Sequence, residues 1–137
     1  MTVAAKTRRW DLLLVLTAAP YSTDVVTTTL RMGQAALELK STVRIWACGY
    51  ATMLTQTSLG DTMPRNARDP ETVYPSTAAL VKQLIADFDG RLSWIGCTAC
   101  SAERGATSHI PQVRLRSPAR FMQTINAADK TVYIGGF

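Results

Sequence analysis

The sequence is poor in the residues on which metal and redox chemistry most often depends. It has one histidine, His109, and three cysteines. A single histidine excludes two-histidine zinc centres, and an odd number of cysteines does not fit a secreted disulfide scaffold. A zinc site at Cys97 and Cys100 would have only Cys48 and His109 left as further ligands. We therefore expect neither a metal nor a cofactor.

Charge is also scarce, since 18% of the residues are charged and the net charge is +5. This is mildly basic, and no basic patch with interleaved aromatic residues is present, so we expect no direct binding of nucleic acid. A hydrophobic content of 47% excludes a disordered chain. The length of 137 residues predicts one domain over 1–137, with residues 1–9 as a flexible N-terminal extension.

Long hydrophobic runs are missing as well. Basic residues at 8 and 9 precede the apolar run Leu12–Leu16, an arrangement that resembles the start of an export signal. The run is shorter than the roughly seven apolar residues that a signal needs, and far shorter than the roughly twenty of a membrane span. We interpret it as a strand buried on both faces. The expected location is the cytoplasm, without membrane contact.

The rest of the chain alternates between strand and helix patterns. The order predicts an α/β fold of three layers (α/β/α), with a mostly parallel sheet of about five strands. Residues 49–73 are predicted to form a long surface loop because of their proline, glycine and charged residues, with room for one turn of helix near residues 53–57. Strands are predicted at 12–16, 42–48, 92–97, 113–116 and 131–134, and helices at 23–40, 75–90, 98–104 and 117–128.

The segment 94–100 carries the clearest chemical signal. Cys97 ends a predicted strand and precedes a predicted helix, where free N–H groups and the helix dipole favour a thiolate. Residues 104–128 contain four arginines and no carboxylate, which adds to the expected positive field. Cys97 is therefore a candidate nucleophile, and a buried core cysteine is the alternative. Cys100 could form a redox pair with it.

Three anchors together resemble the DsrE/DsrF family of small sulfur-relay proteins, and within it the TusD/DsrE type. The first is the loop Thr17–Thr23, the second is Cys97 followed by Arg104-Gly105, and the third is the ending from Ala128 to Phe137. The similarity runs from about residue 10 to the end of the chain. Each anchor alone is weak, and their spacing is more specific.

The resemblance implies a DsrEFH-like domain that holds a persulfide on Cys97 and passes the sulfur to an acceptor protein. A sulfur donor protein is the second expected partner. The assembly would be a homo-oligomer (trimer or hexamer) or a hetero-oligomer with sister subunits. Residues expected to contact partners are Tyr21, Ser22, Thr23 and Arg104.

Two other functions stay open. Cys97 and Cys100 could form a dithiol–disulfide oxidoreductase, or the chain could be a non-catalytic assembly subunit of a sulfur-relay complex. Cys48 is interpreted as a core thiol, with an approach to Cys97 as the alternative if their strands are neighbours. His109 is interpreted as an exposed loop residue, with a proton-transfer role near the thiol as the alternative.

Overall fold

In a computed structural model that describes residues 8–135, strands and helices alternate as the hydrophobic pattern predicts. Three short 3₁₀ helices lie between these elements, at Gly49–Thr55, Thr57–Leu59 and Pro118–Arg120. The strands and α-helices are β1 (Trp10–Thr17), α1 (Val25–Glu38), β2 (Val43–Ala47), α2 (Thr77–Asp87), β3 (Leu92–Cys97), α3 (Thr98–Glu103), β4 (Arg114–Arg116), α4 (Phe121–Asn126) and β5 (Ala128–Gly135).

The five strands form one sheet in the order β4-β3-β2-β1-β5, and every neighbouring pair is parallel. The predicted α/β fold with a parallel sheet is confirmed. Because all five strands run in one direction, the segments that follow them start at the same edge of the sheet. We call this edge the carboxyl edge, and it is where ligands and reactive groups gather in such folds.

The sheet is covered on both faces, which gives the three predicted layers. On one face Leu14 and Ile45 pack in a core with residues of α1 and α2. On the other face Val15 and Trp46 pack against α4, whose Phe121 meets the Trp46 ring edge-on at a centroid distance of 5.1 Å. The adjacent side chains of each strand thus enter different cores, as expected for a buried parallel sheet.

Strand β1 is an interior apolar strand of the sheet, between β2 and β5. Leu13, Leu14 and Leu16 are fully buried, so the apolar run serves the core of the sheet. Of the segment 1–9, residues 1–7 lie outside the described residues, while Arg9 forms an ion pair with Asp129 at 2.7 Å. Among residues 8–135, no helix has the length and apolar character needed to cross a membrane.

The first part of the segment 49–73 is more helical and more buried than the predicted surface loop with one turn of helix. It is the 3₁₀ helix Gly49–Thr55, in which Ala51 and Leu54 are fully buried. These small and apolar side chains pack into the core shared with α1 and α2. The segment is followed by the N-cap of α2, which is Ser76. The Ser76 hydroxyl accepts the N–H of Ala79 and donates to the carbonyl of Gly60.

Candidate functional site

Three cysteines meet at the carboxyl edge of the sheet. Cys48 directly follows β2, Cys97 ends β3, and Cys100 lies in the first turn of α3. Since β2 and β3 are parallel neighbours, their ends bring these residues together. The three Sγ atoms lie within 4.8 Å of one another, and those of Cys48 and Cys100 are 3.5 Å apart. We call this group the three-cysteine cluster.

The members of the three-cysteine cluster differ in exposure. Cys97 is 1% exposed and packs in the core on the α4 face. Cys48 and Cys100 are half-buried, so their thiols lie on the outer side of the cluster. The interpretation of Cys48 as a core thiol is therefore incomplete, because the residue also contacts Cys100. An incoming reagent would meet Cys48 or Cys100 before it reached Cys97.

The acidity of the three thiols also differs, but it does not simply follow their exposure. Burial raises the pKa of Cys97, and it also raises the pKa of Cys48 to about 11, with a further contribution from the neighbouring Cys100. Burial alone would raise the pKa of Cys100 too. A backbone hydrogen bond from Gly49, the two other thiols and the charge of Arg104 more than offset it, and the pKa of Cys100 is lowered.

The expected thiolate thus falls on Cys100, whereas the sequence favoured Cys97. Cys97 is the N-cap of α3, as predicted, but α3 has only six residues and its dipole is short. Desolvation of a fully buried sulfur outweighs this contribution. The first negative charge in the cluster is therefore placed on Cys100.

Arg104 lies beside the cluster, directly after α3. Its Nη1 donates to the carbonyl of Cys100 at 3.3 Å and to Glu103 at 3.1 Å. Its guanidinium also lies over the ring of Tyr50, 4.8 Å from the centroid. Tyr50 is 60% exposed, and it was not predicted as a site residue. Its only signal was its place in the Cys48-Gly49-Tyr50 sequence at the end of a strand.

Tyr21, Ser22 and Thr23 lie elsewhere on the carboxyl edge, after β1. They line a cavity of about 330 Å³ together with residues of α1, α2 and the preceding loop, and none of the three cysteines lines it. Tyr21 has a φ of 61°, a left-handed conformation that is uncommon for a bulky residue. The structure therefore separates these three residues from the thiols, whereas it brings Arg104 to them.

His109 lies behind the three-cysteine cluster, and its interpretation as an exposed loop residue is wrong. Its Nε2 is 2.9 Å from Oγ of Ser101, and its Nδ1 is 2.8 Å from Oγ1 of Thr55. Ser101 donates its proton to the carbonyl of Cys97 and so accepts from Nε2–H. His109 contacts α3 and supports it, and burial lowers the pKa of the imidazole.

The cluster could also hold a soft metal ion, because thiolates are ligands for such ions. Within the described part of the chain it offers three ligand atoms, one fewer than a closed structural zinc site requires. The unequal pKa values point instead to thiol chemistry. One acidic, reachable thiol with two neighbouring thiols can attack a sulfur atom and then form a disulfide.

Comparison with solved structures shows the same fold in the YchN protein of E. coli. The two structures superpose with a TM-score of 0.73 at 18% sequence identity, over 91% of this chain and 99% of that chain. At this identity the likeness shows the fold alone. No protein-family model and no curated protein matches the sequence. The chain thus has a DsrE-like fold, and the resemblance stated above is confirmed at the level of the fold.

Proposed function

We propose that this protein is a sulfur carrier that takes up sulfane sulfur on the three-cysteine cluster and passes it to an acceptor protein. The observation that carries the proposal is the meeting of three thiols within 4.8 Å at the carboxyl edge, with the acidic one reachable. The DsrE-like fold adds support from architecture.

Cys100 is the proposed entry point for sulfur. Its thiolate attacks the outer sulfur of a donor persulfide, a new S–S bond forms, and the donor's own S–S bond breaks. The donor leaves as a thiolate, and Cys100 becomes the persulfide. An acceptor thiolate then attacks the outer sulfur and releases Cys100 as a thiolate. No net oxidation or reduction occurs, so no external oxidant is needed.

This assignment differs from the one that the sequence favoured, which placed the persulfide on Cys97. Cys97 is buried and its pKa is raised, both of which slow attack on a donor. Cys97 remains the alternative carrier. It could react with a donor only if the end of β3 became exposed. Replacing each cysteine separately distinguishes a persulfide on Cys100 from one on Cys97.

A dithiol–disulfide oxidoreductase is the second candidate function, and one distance favours it. The Sγ atoms of Cys48 and Cys100 are 3.5 Å apart, so a small movement brings them to bonding distance. The sequence placed this pair at Cys97 and Cys100. In the carrier, attack by Cys48 on the Cys100 sulfur of the persulfide would release hydrosulfide and leave the same Cys48–Cys100 disulfide.

The proposed partners are a sulfur donor protein and an acceptor protein. Arg104 and Tyr50 flank the thiols, so they are the proposed contacts for an approaching partner at the cluster. Tyr21, Ser22 and Thr23 form a second proposed contact region on the same edge. Assembly as a homo-oligomer, or with sister subunits in the cytoplasm, belongs to this proposal. A non-catalytic assembly subunit is the alternative.

The experiment is an intact-mass measurement after incubation with inorganic polysulfide, on wild type and on Cys48→Ser, Cys97→Ser and Cys100→Ser. The carrier proposal predicts addition of one sulfur atom that survives Cys48→Ser and is lost in Cys100→Ser. Loss in Cys97→Ser alone would assign the persulfide to Cys97. Loss of two hydrogens on oxidation, without any sulfur adduct, would support the oxidoreductase, and no change at all would support the assembly subunit.

A further inference from the structure

A second polar cavity lies away from the cysteines, on the α4 face of the sheet. Its volume is about 550 Å³, and none of the three cysteines lines it. Its floor includes Arg44 of β2 and Ser93 of β3, which are register partners. Five arginines line it, from the chain start, from β2, and from β4 and the segment after it: Arg8, Arg44, Arg114, Arg116 and Arg120. We call it the arginine cavity.

Arg44 is the unusual member of this set. It is 7% exposed, its Nε is fully buried, and that atom has no hydrogen-bond partner among residues 8–135. The cavity contains three further buried polar atoms without partners in the described chain, Nε1 of Trp10, Oγ of Ser93 and Oε1 of Gln112. Buried polar groups are rarely left unpartnered in native proteins. Three of these four atoms can donate a hydrogen bond, which points to an absent ligand that accepts hydrogen bonds.

The charges of the cavity also favour a ligand of this kind, because positive groups outnumber negative ones. Five guanidinium groups face one lining carboxylate, that of Asp89. Within residues 8–135, none of the five arginines forms an ion pair with any carboxylate. Burial, and repulsion by Arg116, Arg114 and Arg8, lower the pKa of Arg44 to about 10. Such a group destabilises the folded chain unless an anion accompanies it.

We propose that the arginine cavity binds the diphosphate group of a small molecule. Arginine binds phosphate oxygens through paired N–H groups, which a point charge such as lysine does not offer. The excess of cationic over anionic lining groups matches a ligand with several negative charges. The buried position of Arg44 favours a small ligand that enters the cavity over an acidic protein surface that stays outside it.

Trp10 does not offer a free ring face in this cavity. The guanidinium groups of Arg8 and Arg44 lie over the indole ring at 4.1 and 4.5 Å from its centroid. Recognition is therefore assigned to the charged end of the ligand. Arg44 lies four residues before Cys48, and none of the three cysteines lines the cavity, although its Arg116 is the register partner of Cys97. The proposed ligand binding does not depend on the proposed sulfur chemistry.

The test is titration calorimetry of the full chain with inorganic pyrophosphate at constant ionic strength. We expect saturable binding with one site per chain. Arg44→Met should weaken it about tenfold or more, because charged hydrogen bonds are lost. Arg31→Met is the matched control, since it removes the same charge from an exposed position on α1. It should leave the affinity unchanged. ADP in a parallel titration shows whether a nucleoside adds to the affinity of the diphosphate.

Three results would overturn the proposal. The first is that pyrophosphate produces no more heat than an equal ionic strength of chloride, and the second is that it binds wild type and Arg44→Met equally. Binding of a polyglutamate peptide without binding of pyrophosphate would assign the cavity to an acidic protein segment. If Arg44→Met does not fold, the double variant Arg114→Gln/Arg116→Gln replaces it, because β4 is an edge strand and largely exposed. The same loss of affinity is expected.

Discussion

The stability of this protein should fall as the pH drops from 7 to 5, and His109 is the cause. The imidazole is neutral in the fold, because Ser101 accepts from Nε2–H while Nδ1 faces Thr55 and the amide of Gln56. The amide of Gln56 donates its two N–H groups to the carbonyls of Thr52 and Ala106, and its nitrogen also lies 3.2 Å from Nδ1. A proton on Nδ1 would point at this amide donor, so charging the ring breaks a contact.

The sign and the size of the effect follow from linkage. Burial lowers the folded pKa of His109 below the ordinary histidine value of 6.5, so the unfolded chain binds the proton first. The stability contribution is complete above that value and is lost as the pH falls through the folded pKa. The ceiling of the slope is about 1.4 kcal/mol per pH unit. The ring is only half-buried, so solvent screening keeps the slope below this ceiling.

The assay is urea unfolding at a series of pH values between 7 and 5, for wild type and His109→Gln. Because the chain has one histidine, no other histidine titrates in this window. The difference between the two proteins should shrink steadily toward pH 5. A wild-type free energy of unfolding that stays flat or rises toward pH 5 would refute the reasoning, and so would an unchanged slope in His109→Gln.

Three further predictions concern packing, capping and thiol acidity. Leu37→Ala should lower the free energy of unfolding by about 2–5 kcal/mol, and Leu39→Ala by less than about 0.5, because Leu37 is fully buried and Leu39 is 81% exposed; chemical denaturation measures both. Ser76→Ala should cost about 1–2 kcal/mol, since the cap of α2 and a buried hydrogen bond are lost together, and equal midpoints would contradict this. Arg104→Gln should slow iodoacetamide alkylation of Cys100 at pH 7, because the pKa of the thiol rises without the cation; peptide mass spectrometry reads the rate, and an unchanged rate would show that the cation does not act there.

The fold could be predicted because its signals are local. The apolar run at 12–16 and the β-branched run at 42–48 read as buried strands, and both are strands in the structure. The bounds of β3 and α3 were predicted nearly to the residue, because Cys97 ends an apolar run directly before small helix-forming residues. Of the 3₁₀ helix after β2, only one helical turn near residues 53–57 was predicted, and its burial was missed, since its composition resembles that of a loop.

The candidate site was only partly predictable, because its geometry depends on which strands are neighbours. The place of Cys48 follows from the pairing of β2 with β3, which no local pattern shows. The order of thiol acidity follows from burial and from a hydrogen bond of Gly49, and neither has a sequence signal. The arginine cavity likewise joins residues of β2 and β4 that are about seventy positions apart. The only sequence signal of this cavity was the group of arginines in residues 104–128, a segment without any carboxylate.

The most direct test of the central claim is to locate the sulfur. The protein is incubated with inorganic polysulfide at pH 7, the persulfides are trapped by alkylation, and tandem mass spectrometry of the peptides identifies the modified cysteine. The account predicts a trapped persulfide on Cys100, with far less on Cys48 and Cys97. Equal exposure to the reagent with no persulfide on any of the three cysteines would contradict it.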